Sequence, residues 1–80
     1  MLLQDAYEIA QRFLNENIRP EHQREVVIAR CVETDDGWEF GYNTREFLEQ
    51  GVIRASLVGN GPVIVPRSGE EPFLAPVLKR

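Results

Sequence analysis

The 80-residue sequence predicts an α+β fold, with one N-terminal helix packed on a twisted antiparallel sheet of three or four strands. Three observations carry that expectation. Apolar residues recur at helical spacing near the start, two β-rich runs flank an Asp-Asp-Gly turn in the middle, and β-branched runs bounded by proline and glycine follow. An antiparallel sheet needs one face covered, and only the first segment carries an apolar stripe adequate to cover it.

The central hairpin organises the rest. Glu25 to Glu33 forms one run, Thr34-Asp35-Asp36-Gly37 the turn, and Trp38 to Tyr42 the return. Trp38, Phe40 and Tyr42 sit two apart, so a strand places all three rings on one face. The register stays open. A three-residue loop, Asp35 to Gly37 with the glycine left-handed, sets Val26, Ile28 and Val32 on the ring face and Arg30 beside the rings, where its guanidinium can stack. A two-residue loop brings Val27, Ala29 and Cys31 to that face instead. Packing large residues on large ones under a short helix favours the first.

Before the hairpin, Leu3, Ala6, Ile9, Ala10, Phe13 and Leu14 recur every three or four positions. They predict a helix from Asp5 to Asn15 or Glu16, opened by an Asp5–Glu8 pair resembling a capping box and closed ahead of Arg19-Pro20. Its other face (Glu8, Gln11, Arg12, Asn15) is expected in solvent. Pro20 to Arg24 reads as a polar connector, with His22 an exposed linker histidine.

After the hairpin, Asn43 to Gly51 reads as a short helical turn. Asn43 and Glu46 have the spacing of a capping pair, Phe47 and Leu48 face inward, and Gly51 is the stop. A strand running from Tyr42 into Thr44 is the competing reading. Val52 to Val58 fits strand or loop. Gly59-Asn60-Gly61-Pro62 reads as a structural turn into Val63-Ile64-Val65. Its G-x-G is not a phosphate loop, which would run from a strand into a helix. Pro66 to Gly69 is the next turn and Glu71 to Ala75 a short return strand. Pro62, Pro66, Pro72 and Pro76 place at least one of these strands at a sheet edge, because proline cannot donate to a ladder.

Composition bounds the function. With 42% hydrophobic and 28% charged residues the chain is ordinary globular material, expected to form a single domain over residues 1–80. No apolar run approaches the roughly 18 residues of a membrane span, and Met1 to Asp5 lack the basic start and apolar core of a signal peptide. A cytoplasmic location is expected. Cys31 is the only cysteine, so no internal disulfide forms. No catalytic constellation, metal cluster or cofactor motif emerges. Asp35 and Asp36 are adjacent turn residues that point apart, Ser68 lacks a nucleophile context, and His22 with Cys31 falls short of the about four ligands zinc needs.

Net charge is −4, and its distribution says more. Glu33, Asp35, Asp36, Glu39, Glu46 and Glu49 face a single base, Arg45, within one segment, whereas the rest of the chain carries seven acids and eight bases. Nucleic acid calls for the opposite sign. An acidic rim of these six residues suits a basic protein partner, and the alternative is a solvated hairpin edge. A homodimer through the edge of Val63-Ile64-Val65 is conceivable, although Pro62 and Pro66 flank and blunt that run.

Three runs carry a family resemblance: Gly37-Trp-Glu-Phe-Gly-Tyr-Asn43, Arg45-Glu-Phe-Leu-Glu-Gln-Gly51 and Leu57-Val-Gly-Asn-Gly-Pro-Val-Ile-Val65. In that order, after a helix opened by Asp5-Ala6, they resemble the YrhB-like immunity-protein family, number thirty-five of bacterial polymorphic toxin systems. The likeness covers Asp5 to about Gly69, and its specific parts are the G-W-x-F and L-x-G-N-x-P-x-x-V elements. It implies a small α+β protein that binds and neutralises a cognate toxin, with no catalytic residues and no cofactor. For Gly37, Trp38, Phe40, Tyr42, Gly59, Asn60, Gly61 and Pro62 the reading is structural. The alternative function is a general protein-binding or chaperone-like module without a toxin partner.

Overall fold

The computed structural model describes residues 1–22, 24–52 and 61–75. The elements run α1 (Leu3–Asn17), a 3-10 turn (Arg19–Glu21), β1 (Val26–Thr34), β2 (Gly37–Thr44), α2 (Arg45–Gln50), β3 (Val63–Pro66) and β4 (Phe73–Leu74). The four strands form one antiparallel sheet in sequence order, and α1 packs across β2 and β3. The α+β arrangement read from the sequence is the one adopted, with four strands among the described residues.

Most of the apolar stripe does what its spacing dictates. Ala6, Ala10 and Leu14 are wholly buried, and Ile9 and Phe13 are half-buried against the core. Two alanines at the contact let the helix lie close to the sheet, so the large inward side chains come from the strands. Leu3 departs from expectation and is 53% exposed in the first turn. The helix also starts two residues earlier than the Asp5–Glu8 pair suggested. Asp5 is its third residue, and its carboxylate accepts from the Leu2 N–H at 3.1 Å, satisfying one orphan donor from inside the helix. Beyond the C-terminus, Arg19 donates to the Val26 carbonyl through Nε and Nη2 (3.1 and 2.8 Å) and to Gln11 Oε1 (2.8 Å). One guanidinium thus ties the helix end to the start of β1. His22, expected in solvent, is half-buried beside that turn.

The hairpin resolves the open register by using both readings. Its turn has two residues, Asp35 and Asp36, with Thr34 opposite Gly37, so Cys31 faces Phe40 and Glu33 faces Trp38. A bulge between Ile28 and Arg30 then inserts one residue. Beyond it Ile28 faces Tyr42 and Val26 faces Thr44. One extra residue inverts the faces of a strand. Val26 and Ile28 therefore reach the ring face as the longer loop would place them, while Val32 does not. Arg30 is likewise corrected: it pairs with Gly41 on the opposite face, its side chain lying over that glycine.

Trp38, Phe40 and Tyr42 all point to the α1 side and are buried, joined by Val63 and Val65 of β3. At the far end of β2 the strand runs on through Thr44, as the competing reading had it. Thr44, not Asn43, caps α2: its Oγ1 accepts from the Phe47 N–H at 3.1 Å. Gly51 ends α2 in the left-handed conformation, φ 69°. Phe47 is half-buried, whereas Leu48, expected inward, is 44% exposed.

Two glycines are fixed by close approach. A Cβ on Gly37 would lie 2.1 Å from the Val65 carbonyl oxygen, and one on Gly61 would lie 1.8 Å from that of Ala75. Gly37 is not left-handed as the three-residue loop required; its φ is 156°. Pro62 accepts from the Ala75 N–H at 2.9 Å, which closes the β3–β4 pair. β3 is bonded on both sides, so its edge is not open for a second copy. Among the described residues, β4 and β1 form the sheet edges. The expectations for Val52 to Val58 beyond its first residue, and for Gly59, Asn60 and Pro76, lie outside the described residues.

Candidate partner-binding surface

The six acids of the expected rim fall into two groups at opposite ends of β2. Glu33, Asp35, Asp36 and Glu39 surround the hairpin tip, while Glu46 and Glu49 lie on α2. β2, about 26 Å long at ~3.3 Å per residue, runs from the turn to α2, with Glu39 its third residue at the tip end. The α2 group is largely neutralised. Glu46 meets Arg24 at 3.4 Å, and Arg45 lies between Glu49 (3.5 Å) and Glu25 (3.1 Å).

At the tip, Glu33 is also engaged. Its Oε2 accepts from Arg67 Nη2 at 2.9 Å, and the same nitrogen donates to the Thr34 carbonyl at 3.0 Å. The Arg67 guanidinium stands 4.5 Å from the Trp38 ring centre, the stacking the sequence had assigned to Arg30. Its backbone N–H donates to the Asp36 carbonyl at 2.7 Å. The tip is thereby clamped to the β3–β4 turn. Asp35, Asp36 and Glu39 have no ion-pair partner among the described residues.

Glu39 belongs to the face turned away from α1, and Asp35 and Asp36 are the two turn residues at the end of its hairpin. Opposed residues of neighbouring strands share a face, so Val32, Glu39, Ile64 and Phe73 form one cross-strand row over all four strands. Val32 is 39% and Phe73 49% exposed. Next to this row, between the hairpin tip and the β3–β4 turn, lies an open groove of about 690 Å³. Ile64, Pro66 and Phe73 give it apolar walls, and Asp35, Asp36 and Glu70 line it with carboxylates. Of these residues the sequence reading placed only the two aspartates in the acidic rim, and it named Ile64 and Pro66 only as a strand edge and its flanking proline. Alternation in Val63-Ile64-Val65 marks one residue of the three as outward, but the register that sets Ile64 beside Phe73 is not written there.

Cys31 is exposed, but partial burial and the neighbouring Glu33 hold its thiol above its ordinary pKa, opposing the reactive thiolate. Ser68 donates its hydroxyl to Glu70 Oε1 at 3.1 Å. Among the described residues no group of three or more His, Cys, Asp or Glu could hold a metal ion. No described helix is long and apolar enough to cross a membrane.

The chain is a small helix-on-sheet domain with a clamped acidic hairpin tip. The particular family is shown by comparison: residues 4–79 match the Immunity protein 35 family model, and the chain belongs to that family. It is 36% identical over 67 residues to the uncharacterized protein YrhB of Escherichia coli (strain K12), a match covering 84% of this chain. The chain spans 66% of YrhB, just under two thirds of that relative's length. No solved structure matches it.

Proposed function

We propose that this protein is a non-enzymatic, cytoplasmic immunity protein that binds a cognate toxin of a polymorphic toxin system and covers its active surface. The family match over residues 4–79 is the observation that carries the reading. In it, Asp35, Asp36 and Glu39 form the working part of an acidic rim that meets a basic toxin surface. Glu33 supports that rim through Arg67, and Glu46 and Glu49 extend it at the other end of β2. Opposite charge steers such an encounter.

The test is co-expression with the toxin domain encoded beside the gene in its own genome. Protected growth and co-purification of a stable complex are expected. Continued toxicity with a folded, abundant partner would overturn the reading and favour a general binding module.

A further inference from the structure

We propose that the groove between the hairpin tip and the β3–β4 turn receives an arginine or lysine side chain, with the apolar residue beside it, from a loop of the partner protein. The proposal rests on the toxin-binding reading and names the contact through which that binding occurs.

The groove is built for a mixed occupant. Its apolar part is contributed by Ile64, Pro66 and the half-exposed Phe73, and Val32 continues the same face. Asp35, Asp36 and Glu70 line it, and none has an ion-pair partner among the described residues. Arg67 is the one base along it among the described residues, and its guanidinium is bound to Glu33 and Thr34 and stacked on Trp38. The unmatched charge in the groove is therefore negative.

That combination discriminates among occupants. A phosphate or nucleic acid meets repulsion. A second copy of this chain, of net charge −4, would bring the same acids to the same place. A purely apolar segment would strip water from carboxylates and return no hydrogen bonds. An arginine or lysine satisfies both components. Its methylene stem covers Ile64 and Pro66, its cation approaches the Phe73 ring, and its N–H groups reach carboxylates. The neighbouring apolar side chain then covers the row that Val32 and Ile64 leave uncovered. A volume of about 690 Å³ lies within the about 300–1,000 Å³ typical of ligand sites, room for a few side chains. The site is also held in shape: Arg67 N–H bonds Asp36 on one side, and Gly69 N–H bonds the Pro66 carbonyl at 3.2 Å on the other. Less ordering is then lost on binding.

The test uses the whole chain, isotope-labelled, titrated with acetyl-Leu-Arg-amide and with acetyl-Leu-Glu-amide as control. The arginine peptide is expected to shift the amides of Asp35, Asp36, Ile64, Ser68 and Phe73, and the glutamate peptide to leave them in place. Asp36→Asn/Glu70→Gln is expected to weaken the response by about tenfold, as the loss of charge-assisted hydrogen bonds predicts. Equal shifts with both peptides, or shifts confined to another surface, would overturn the groove. In co-expression with the toxin domain, Phe73→Ser should lose protection while keeping the wild-type melting temperature, because that ring is half-exposed. If wild type and Phe73→Ser protect equally, the groove fails and the immunity reading stands. If wild type does not protect, the immunity reading fails, and the peptide titration decides the groove by itself.

Discussion

At the scale of single residues, Tyr42 and Arg67 carry the sharpest consequences. The Tyr42 hydroxyl is buried with no hydrogen-bond partner among the described residues, on a ring that otherwise fills the core. An unsatisfied buried hydroxyl costs about 1–3 kcal/mol of desolvation, so Tyr42→Phe is expected to be neutral or stabilising in urea unfolding at pH 7. Burial also raises the Tyr42 pKa above its ordinary 10.0. The unfolded chain then ionises first, binding fewer protons than the folded one. Stability is fully present below pH 10 and declines as pH rises toward the raised folded value. Cys31, raised from its ordinary 9.0, adds a decline of the same sign. Tyr42→Phe should therefore flatten the alkaline loss without abolishing it, as melts between pH 8 and pH 11 would show. Arg67 instead joins three elements through Trp38, Glu33 and Asp36. Its side chain is 40% exposed, so the ion pair is screened by solvent. Losing stacking and pairing together in Arg67→Ala should cost about 1–2 kcal/mol. Arg67→Lys should recover only part of this, since an ammonium lacks the planar face and fork. Trp38 fluorescence and chemical unfolding report both effects.

At the scale of elements, burial separates the aromatic positions. Phe40 is wholly buried beneath α1, its ring edge-on to Tyr7 at 6.2 Å between centroids, whereas Phe13 is only half-buried. Phe40→Ala should cost about 3–5 kcal/mol and leave a domain this small largely unfolded. Phe13→Ala should cost clearly less, and circular dichroism of the two variants ranks them. The helix stripe and the aromatic row were legible because each follows one period throughout. The bulge was not legible, because residues on both sides of Ala29 read as good strand and the inserted position follows from contacts with β2 and α1. That single residue explains why Val26 and Ile28 share the ring face while Val32 and Arg30, placed by the two-residue turn, lie on the outer face despite an unbroken alternation. Arg67 could not be chosen over Arg30 for the same reason: stacking on Trp38 depends on the pairing of Trp38 with Val65, two strands from the hairpin turn. Thr44 displaced Asn43 as the cap because β2 runs one residue further than the Asn43–Glu46 spacing suggests.

At the scale of the molecule, sequence segregation of charge becomes spatial segregation with an added distinction. The six clustered acids were legible as a cluster; which of them are already paired was only partly so, because Arg45 sits four residues before Glu49 but the bases that meet Glu46 and Glu33 come from elsewhere in the chain: Arg24 before β1 and Arg67 after β3. Among the described residues, only the hairpin tip and outer face keep carboxylates of these six without an ion-pair partner. This makes the Asp35→Asn/Asp36→Asn double substitution a clean probe of the acidic rim. The clamp at the turn uses the Asp36 main-chain carbonyl, which the substitution preserves, and both side chains are exposed. Thermal stability should stay within a degree or two of wild type, since exposed charges contribute little to it (about 0–1 kcal/mol). Binding to a basic toxin should instead slow at association, because rim charges act mainly on the encounter rate. Raising salt should slow wild type more than the double mutant, as screening shortens toward about 8 Å at physiological ionic strength. Stopped-flow association at low and moderate salt separates the cases. Equal rates and equal salt slopes for the two proteins would reduce Asp35 and Asp36 to solubilising charges and leave the apolar row of Val32, Ile64 and Phe73 to carry the contact.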